Sequence, residues 1–142
     1  MTNNTRFLIW LTLGIGFCSP KPKHLLSLYG DLSVLYNSKE QELRLCGILT
    51  QGEINRLIKT PVTAADEIIS RANELGQQIV DITEDAYPAS LKCIDDAPAV
   101  LYVKGTLPDF DNLEFEFENH LARIVKPNVE PNGKWALKTE YF

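Results

Sequence analysis

Gly14-Ile15-Gly16 stands between two apolar stretches, and Lys21 and Lys23 follow it at the start of the second. A G-x-G turn between two helices leaves backbone N–H groups open at a helix N-terminus, where a phosphate fits without meeting side chains. Cations in the first turn of a helix oppose its macrodipole, so a bound anion would offset the cost of the two lysines. Gly14, Gly16, Lys21 and Lys23 are therefore candidate phosphate contacts of a helix-hairpin-helix. A plain helix–helix turn with solvated lysines fits the same spacing.

The other reactive side chains form weaker patterns. Asp81, Glu84, Asp85, Asp95 and Asp96 resemble a general acid/base set, although carboxylates at such spacing also serve as turn and cap residues. None of the serines has a G-x-S-x-G context, and His24 sits on a helix beside Leu25 as a partly exposed polar residue. No phosphate-binding glycine fingerprint follows either expected strand. Cys18, Cys46 and Cys93 lack metal-ligand spacing and are expected to be buried, structural thiols. No catalytic residue, metal or cofactor is expected.

These residues must be held by a chain of 142 residues, 44% of them apolar and 23% charged, which is the composition of a globular protein. The net charge of −5 is uneven: residues 1–60 hold seven Lys/Arg against four acids, and the remainder seven against fifteen. A mildly basic front could meet phosphate, and the acidic back would be repelled by it. The apolar run from Phe7 to Cys18 admits two readings, a secretion-signal core or a buried helix. It is far shorter than the ~20 residues of a membrane span. Turn-forming positions interrupt it, and no small-x-small cleavage site follows.

Residues 5–13 suit a short helix buried on most sides, with Thr5 as N-cap and Gly14-Ile15-Gly16 as the break. Ser19-Pro20 restarts a helix that Gly30 ends, and Asp31 caps a short LSVLY piece. Ser38 with Gln41 and Thr50 with Glu53 are capping boxes for two more helices. This predicts a helical bundle over 5–60 that buries Trp10, Leu13, Leu25, Leu26, Leu43, Leu45 and Leu57. Thr63 caps a longer helix ending at Gly76. A strand at 77–82, a helical turn from Tyr87-Pro88 and a strand within 99–105 give an α/β pattern. Beyond Pro108 the chain is acidic without clear period, then loop-like, with a terminal strand within 135–142.

The segment ITEDAYPASLKCIDDAPAVLYVKGTLP, residues 82–108, resembles the DprA/Smf family of bacterial DNA-processing proteins. A Tyr-Pro-x-x-Leu stretch, an Asp-x-Pro turn and a VLYVKG strand follow one another there at this spacing. The matching positions are Tyr87, Pro88, Leu91, Asp95, Asp96, Pro98 and Val100 to Gly105, with Tyr102 inside the strand. The front half is similar too, through Trp10, Leu11, Leu13, Gly14-Ile15-Gly16 and the HLLSLYGD stretch. The resemblance covers residues 6–110 and makes the apolar run the first core helix of a cytoplasmic domain.

The resemblance implies a helical SAM-like domain over 1–61 and the opening part of a Rossmann-like domain over 62–110, with 111–142 unmatched. It implies DNA processing in natural transformation: binding of single-stranded DNA and loading of a RecA-type recombinase, without enzymatic activity. Tyr87, Pro88, Leu91, Pro98, Tyr102 and Gly105 are structural in that account. The family's Gly-Ser-Arg turn and second glycine-rich turn are not in this sequence, so DNA binding is expected to be weak. The reading is of a truncated or fused product with no membrane partner, and unsatisfied strand edges make self-association an expectation. Two alternatives stay open. One is a helical protein-interaction module. The other is a fusion with a hydrolase-derived tail, since KPNVEPNGKWALKTEYF is similar to the leading segment of some α/β-hydrolase-type esterases.

Overall fold

A computed structural model describes residues 1–107 throughout and, beyond them, the strands at 114–118, 121–125 and 140–141. Residues 1–107 form one compact unit, and the expected division between 61 and 62 falls inside it; 108–142 form a second unit.

The first unit is a mixed α/β fold built around α1 (Thr5–Ile15). Leu8, Ile9, Trp10 and Leu11 are consecutive, so they point to every side of the helix, and all are buried. A helix apolar all round must be surrounded. Around it lie α2 (Lys21–Tyr29), α3 (Leu32–Tyr36), α4 (Glu40–Leu45), α5 (Gln51–Lys59) and α6 (Val62–Glu74), with α5 and α6 its main contacts. No strand occurs in residues 5–60, as the helical-bundle expectation requires.

Several caps fall where the sequence places them. Asp31 Oδ1 accepts from Ser33 N at 2.9 Å, and Thr50 and Glu53 form a reciprocal capping box. Others differ. Thr5 is the first residue of α1 instead of its N-cap, because its hydroxyl is directed to Asp81. Ser19 Oγ accepts from Lys21 N, so α2 begins one residue later than Pro20 at its first position would require. Ser38 donates to Val34 O, and Glu42 instead accepts from the Lys39 amide at 2.7 Å, moving the start of α4 by one residue. α6 begins at Val62, ahead of Thr63.

Five of the seven expected core residues are buried or half-buried, whereas Leu13 is 38% and Leu45 85% exposed. Leu45 lies two residues, about 200°, beyond buried Leu43 in a helix of six residues, so one side of α4 cannot take both. Leu13 is one residue off the line on which Gly14 meets α5. The cysteines depart as well: Cys18, in the loop after α1, and Cys93, just past a four-residue helix, are exposed, and Cys46 is half-buried. Chain connections with few neighbours override the usual preference of cysteine for the interior.

β1 (Gln77–Asp81) pairs with β2 (Val100–Lys104) in a two-stranded antiparallel sheet, with α7 (Ala89–Lys92) between them in sequence. Ile79 opposes Tyr102 and Asp81 opposes Val100. This pairing is not the parallel crossover from which a Rossmann core is built. Ile79, Val80 and Asp81 are all buried, so both faces of β1 are covered. In the second unit, β3 (Glu114–Glu118), β4 (Leu121–Val125) and β5 (Glu140–Tyr141) form an antiparallel sheet in that order. The 114–118 stretch therefore does have a period, the Glu/Phe alternation of a strand, too short to stand out in its acidic surroundings. β5 falls within the expected terminal strand; residues 126–139, which hold most of the loop-like stretch, lie outside the described ones.

Candidate functional site

The hairpin is assembled differently from its sequence reading. Gly14 is not in the turn: α1 runs on to Ile15, and Gly14 faces Leu57 of α5. A Cβ there would lie 2.6 Å from Leu57 Cγ and closer still to Cδ2, so the missing side chain serves helix packing. Arg56 Nε donates to Gly14 O at 2.8 Å, satisfying a carbonyl at the end of α1. Gly16 alone adopts the turn conformation, with φ at 109°, and its N–H donates to Thr12 O.

Neither lysine of the hairpin is directed at a common anion position. Lys21 Nζ donates to both carboxylate oxygens of Glu53, each at 2.8 Å, joining α2 to α5. Burial pushes the Glu53 carboxyl up, but the Lys21 and Thr50 hydrogen bonds and the Lys21 charge outweigh it, and its pKa is lowered. Lys23 Nζ donates to Lys92 O at 2.7 Å, placing its charge at the C-terminal carbonyls of α7. The four sequence-selected residues are thus split among packing, a turn and two separate intramolecular contacts.

The motif residues of 82–108 are gathered by the sheet. Tyr87 is buried, and its hydroxyl donates to Pro98 O at 2.7 Å across the α7 excursion. Burial pushes the Tyr87 hydroxyl pKa up to about 12. Pro88 precedes α7, Leu91 is half-buried within it, and Gly105 ends β2 with φ at 94°. Tyr102 is half-buried in β2, and burial raises its pKa.

The five carboxylates do not converge. Asp85, Asp95 and Asp96 are exposed, Glu84 lies 3.4 Å from the Met1 amino group, and Asp81 is fully buried. Asp81 accepts from the hydroxyls of Thr2, Thr5 and Thr83 and from Thr83 N. Burial pushes its carboxyl up; the threonine hydrogen bonds pull it further down, leaving the pKa lowered. His24 is exposed. Among the described residues no group of three or more His, Cys, Asp or Glu could hold a metal ion, and no helix is long and apolar enough to cross a membrane.

Sequence reasoning missed every long-range partner here: Glu53 for Lys21, Arg56 for Gly14, and Thr2 and Thr5 for Asp81. Only the Thr50–Glu53 box carried a local signal, and it marked Glu53 as a cap without marking its ion pair. Comparison with protein-family models, with curated proteins and with solved structures finds no match.

Proposed function

We propose that the chain is a DNA-processing module of the DprA/Smf kind that engages single-stranded DNA weakly, with a RecA-type recombinase as the partner the resemblance implies. The observation that carries this reading is the Tyr87–Pro98 hydrogen bond. It ties the Tyr-Pro-x-x-Leu stretch to the Asp-x-Pro turn, closing the loop that leads into the VLYVKG strand. On this reading residues 1–61 are a SAM-like element and the two-stranded sheet is the opening of the family's α/β domain. Weak binding follows because Lys21 and Lys23 are held by Glu53 and by the α7 carbonyls.

Titration of a fluorescein-labelled oligothymidine with the protein, followed by anisotropy over a salt series, tests the reading. The expected result is saturable, salt-sensitive binding in the range of about 10⁻⁴ to 10⁻⁶ M with a shallow salt slope. No anisotropy change at millimolar protein would overturn it. A second reading, a protein-interaction module, is favoured by Leu28, Val34 and Leu45, large apolar side chains 60%, 54% and 85% exposed on α2, α3 and α4. It would gain from a negative DNA result.

A further inference from the structure

The two-stranded sheet of the first unit is covered unevenly. α6 and α1 pack against β1, and its Ile79, Val80 and Asp81 are buried. In β2 the three central residues, Leu101, Tyr102 and Val103, are only half-buried. Successive side chains of a strand point to opposite faces, so β2 is partly open on both faces at once. That is the exposure of a strand with nothing along one edge. The hydrogen-bond phase identifies which groups lie there. Ile82 N donates to Ala99 O at 2.9 Å, in the same register that sets Asp81 opposite Val100. Hydrogen-bonded and non-hydrogen-bonded pairs alternate along an antiparallel ladder, so Leu101 and Val103 turn their N–H and C=O groups toward β1. Val100, Tyr102 and Lys104 turn theirs away from it, and those groups have no hydrogen-bond partner among the described residues. Edge strands are usually blunted by Pro, bulges or several charges. VLYVK has no Pro or Gly, and its single cation stands at the end.

The strand that fits this edge is β2 itself. Its outward-facing residues are symmetric about Tyr102. An antiparallel copy with a two-fold axis at Tyr102 sets Tyr102 against Tyr102 and Lys104 against Val100, so the outward N–H and C=O groups of all three residues pair. The side chains match in the same register: Leu101 meets Val103, the two tyrosines lie side by side, and no like charges stand opposite. An axis at Lys104 would instead oppose two ammonium groups. We infer that the outer edge of β2 is a self-association site, where a second copy of this chain adds its own β2 to make a four-stranded antiparallel sheet. A five-residue pairing is small beside a standard interface, so the dimer is a weak one that forms as concentration rises.

Sedimentation equilibrium of the full chain over a concentration series tests this with two variants. Lys104→Pro removes an outward N–H and none of the bonds to β1. Leu45→Glu places a charge on the exposed helical surface instead, at a leucine 85% exposed. Wild type and Leu45→Glu should rise from 16.0 kDa toward twice that mass, while Lys104→Pro stays at the monomer mass with an unchanged urea midpoint. Hydrogen exchange on the wild type needs no variant and decides the matter even where Lys104→Pro unfolds. The Tyr102 and Lys104 amides should gain protection only at high concentration, and those of Leu101 and Val103 should be protected throughout. A wild type that stays monomeric, or that grows past the dimer, overturns the inference. So does association lost in Leu45→Glu or kept in a folded Lys104→Pro, and so does exchange at Tyr102 and Lys104 that ignores concentration.

Discussion

Lys21 Nζ donates to both oxygens of the Glu53 carboxylate, and the two side chains are only 26% and 12% exposed. Glu53 also accepts from Thr50 N at the start of α5, so one carboxylate fixes both the register of a helix and the approach of its neighbour. Lys21→Ala strands a mostly buried carboxylate and is expected to cost about 1–3 kcal/mol. A Lys21→Met/Glu53→Gln double variant should lose less than the sum of its single variants. Urea unfolding of the four proteins checks this; strict additivity would mean that the pair is not coupled.

Gly14→Ala separates the packing role of that glycine from a phosphate role. The new methyl group meets Leu57, itself 1% exposed and unable to swing into solvent. Overpacking of this kind costs about 1–3 kcal/mol, which exceeds the gain of up to ~1 kcal/mol in helix propensity. Gly14→Ala should therefore lower the melting temperature, and adding Leu57→Ala should recover more stability than Leu57→Ala allows by itself. Unchanged thermal stability in Gly14→Ala would show that Leu57 moves freely.

Tyr87→Phe removes only the oxygen that donates to Pro98 O. The expected loss is about 0.5–1.5 kcal/mol, rising if the freed carbonyl stays dry. In the wild type the raised Tyr87 pKa makes folding resist ionisation. That contribution is present below the ordinary value of 10.0 and is lost as pH rises toward about 12. Ultraviolet titration of wild type against Tyr87→Phe should remove one late-ionising phenol; a difference between the two curves centred near pH 10 would contradict the buried hydroxyl.

What was legible in the sequence divides by distance along the chain. The Thr50–Glu53 box and the Asp31 cap are carried by residues two or three apart, and the sequence placed them correctly. Both strands of the first unit were visible, β1 as a short stretch after Gly76 and β2 as an apolar, β-branched run ended by Gly105. Their antiparallel pairing was not, because the strand composition is compatible with either direction and the α7 connection decides. The partners of the candidate phosphate residues were illegible for a similar reason. Lys21 finds Glu53 32 residues away, and nothing in KPKHLL announces that partner. Leu45 shows a complementary limit: a six-residue helix offers too little length for a period to reveal which leucine turns inward.

Asp81 supplies a pH-dependent link between the start of α1 and β1. Its carboxylate is fully buried and accepts three threonine hydroxyls and one backbone N–H, with the Thr2 contact at 2.6 Å. A carboxylate so held is a far better acceptor than the protonated acid, hence the lowered pKa. The sign follows from linkage. Above the ordinary value of 3.8 the unfolded chain is also ionised and the stabilisation is complete; as pH falls below 3.8 the unfolded state takes up the proton first, and stability declines until the folded carboxyl is protonated too. Thr5→Val removes one donor while keeping the shape, and is expected to cost about 1–2 kcal/mol near neutral pH. Asp81→Asn should cost more there, because its amide brings hydrogens to hydroxyls already arranged to donate. The same variant should flatten the acid side of the stability profile, so its deficit against wild type shrinks as the solution is taken below pH 3.8. Chemical denaturation at a series of pH values measures that deficit directly, and a deficit independent of pH would mean that Asp81 is not the ionised hub of the threonine cluster.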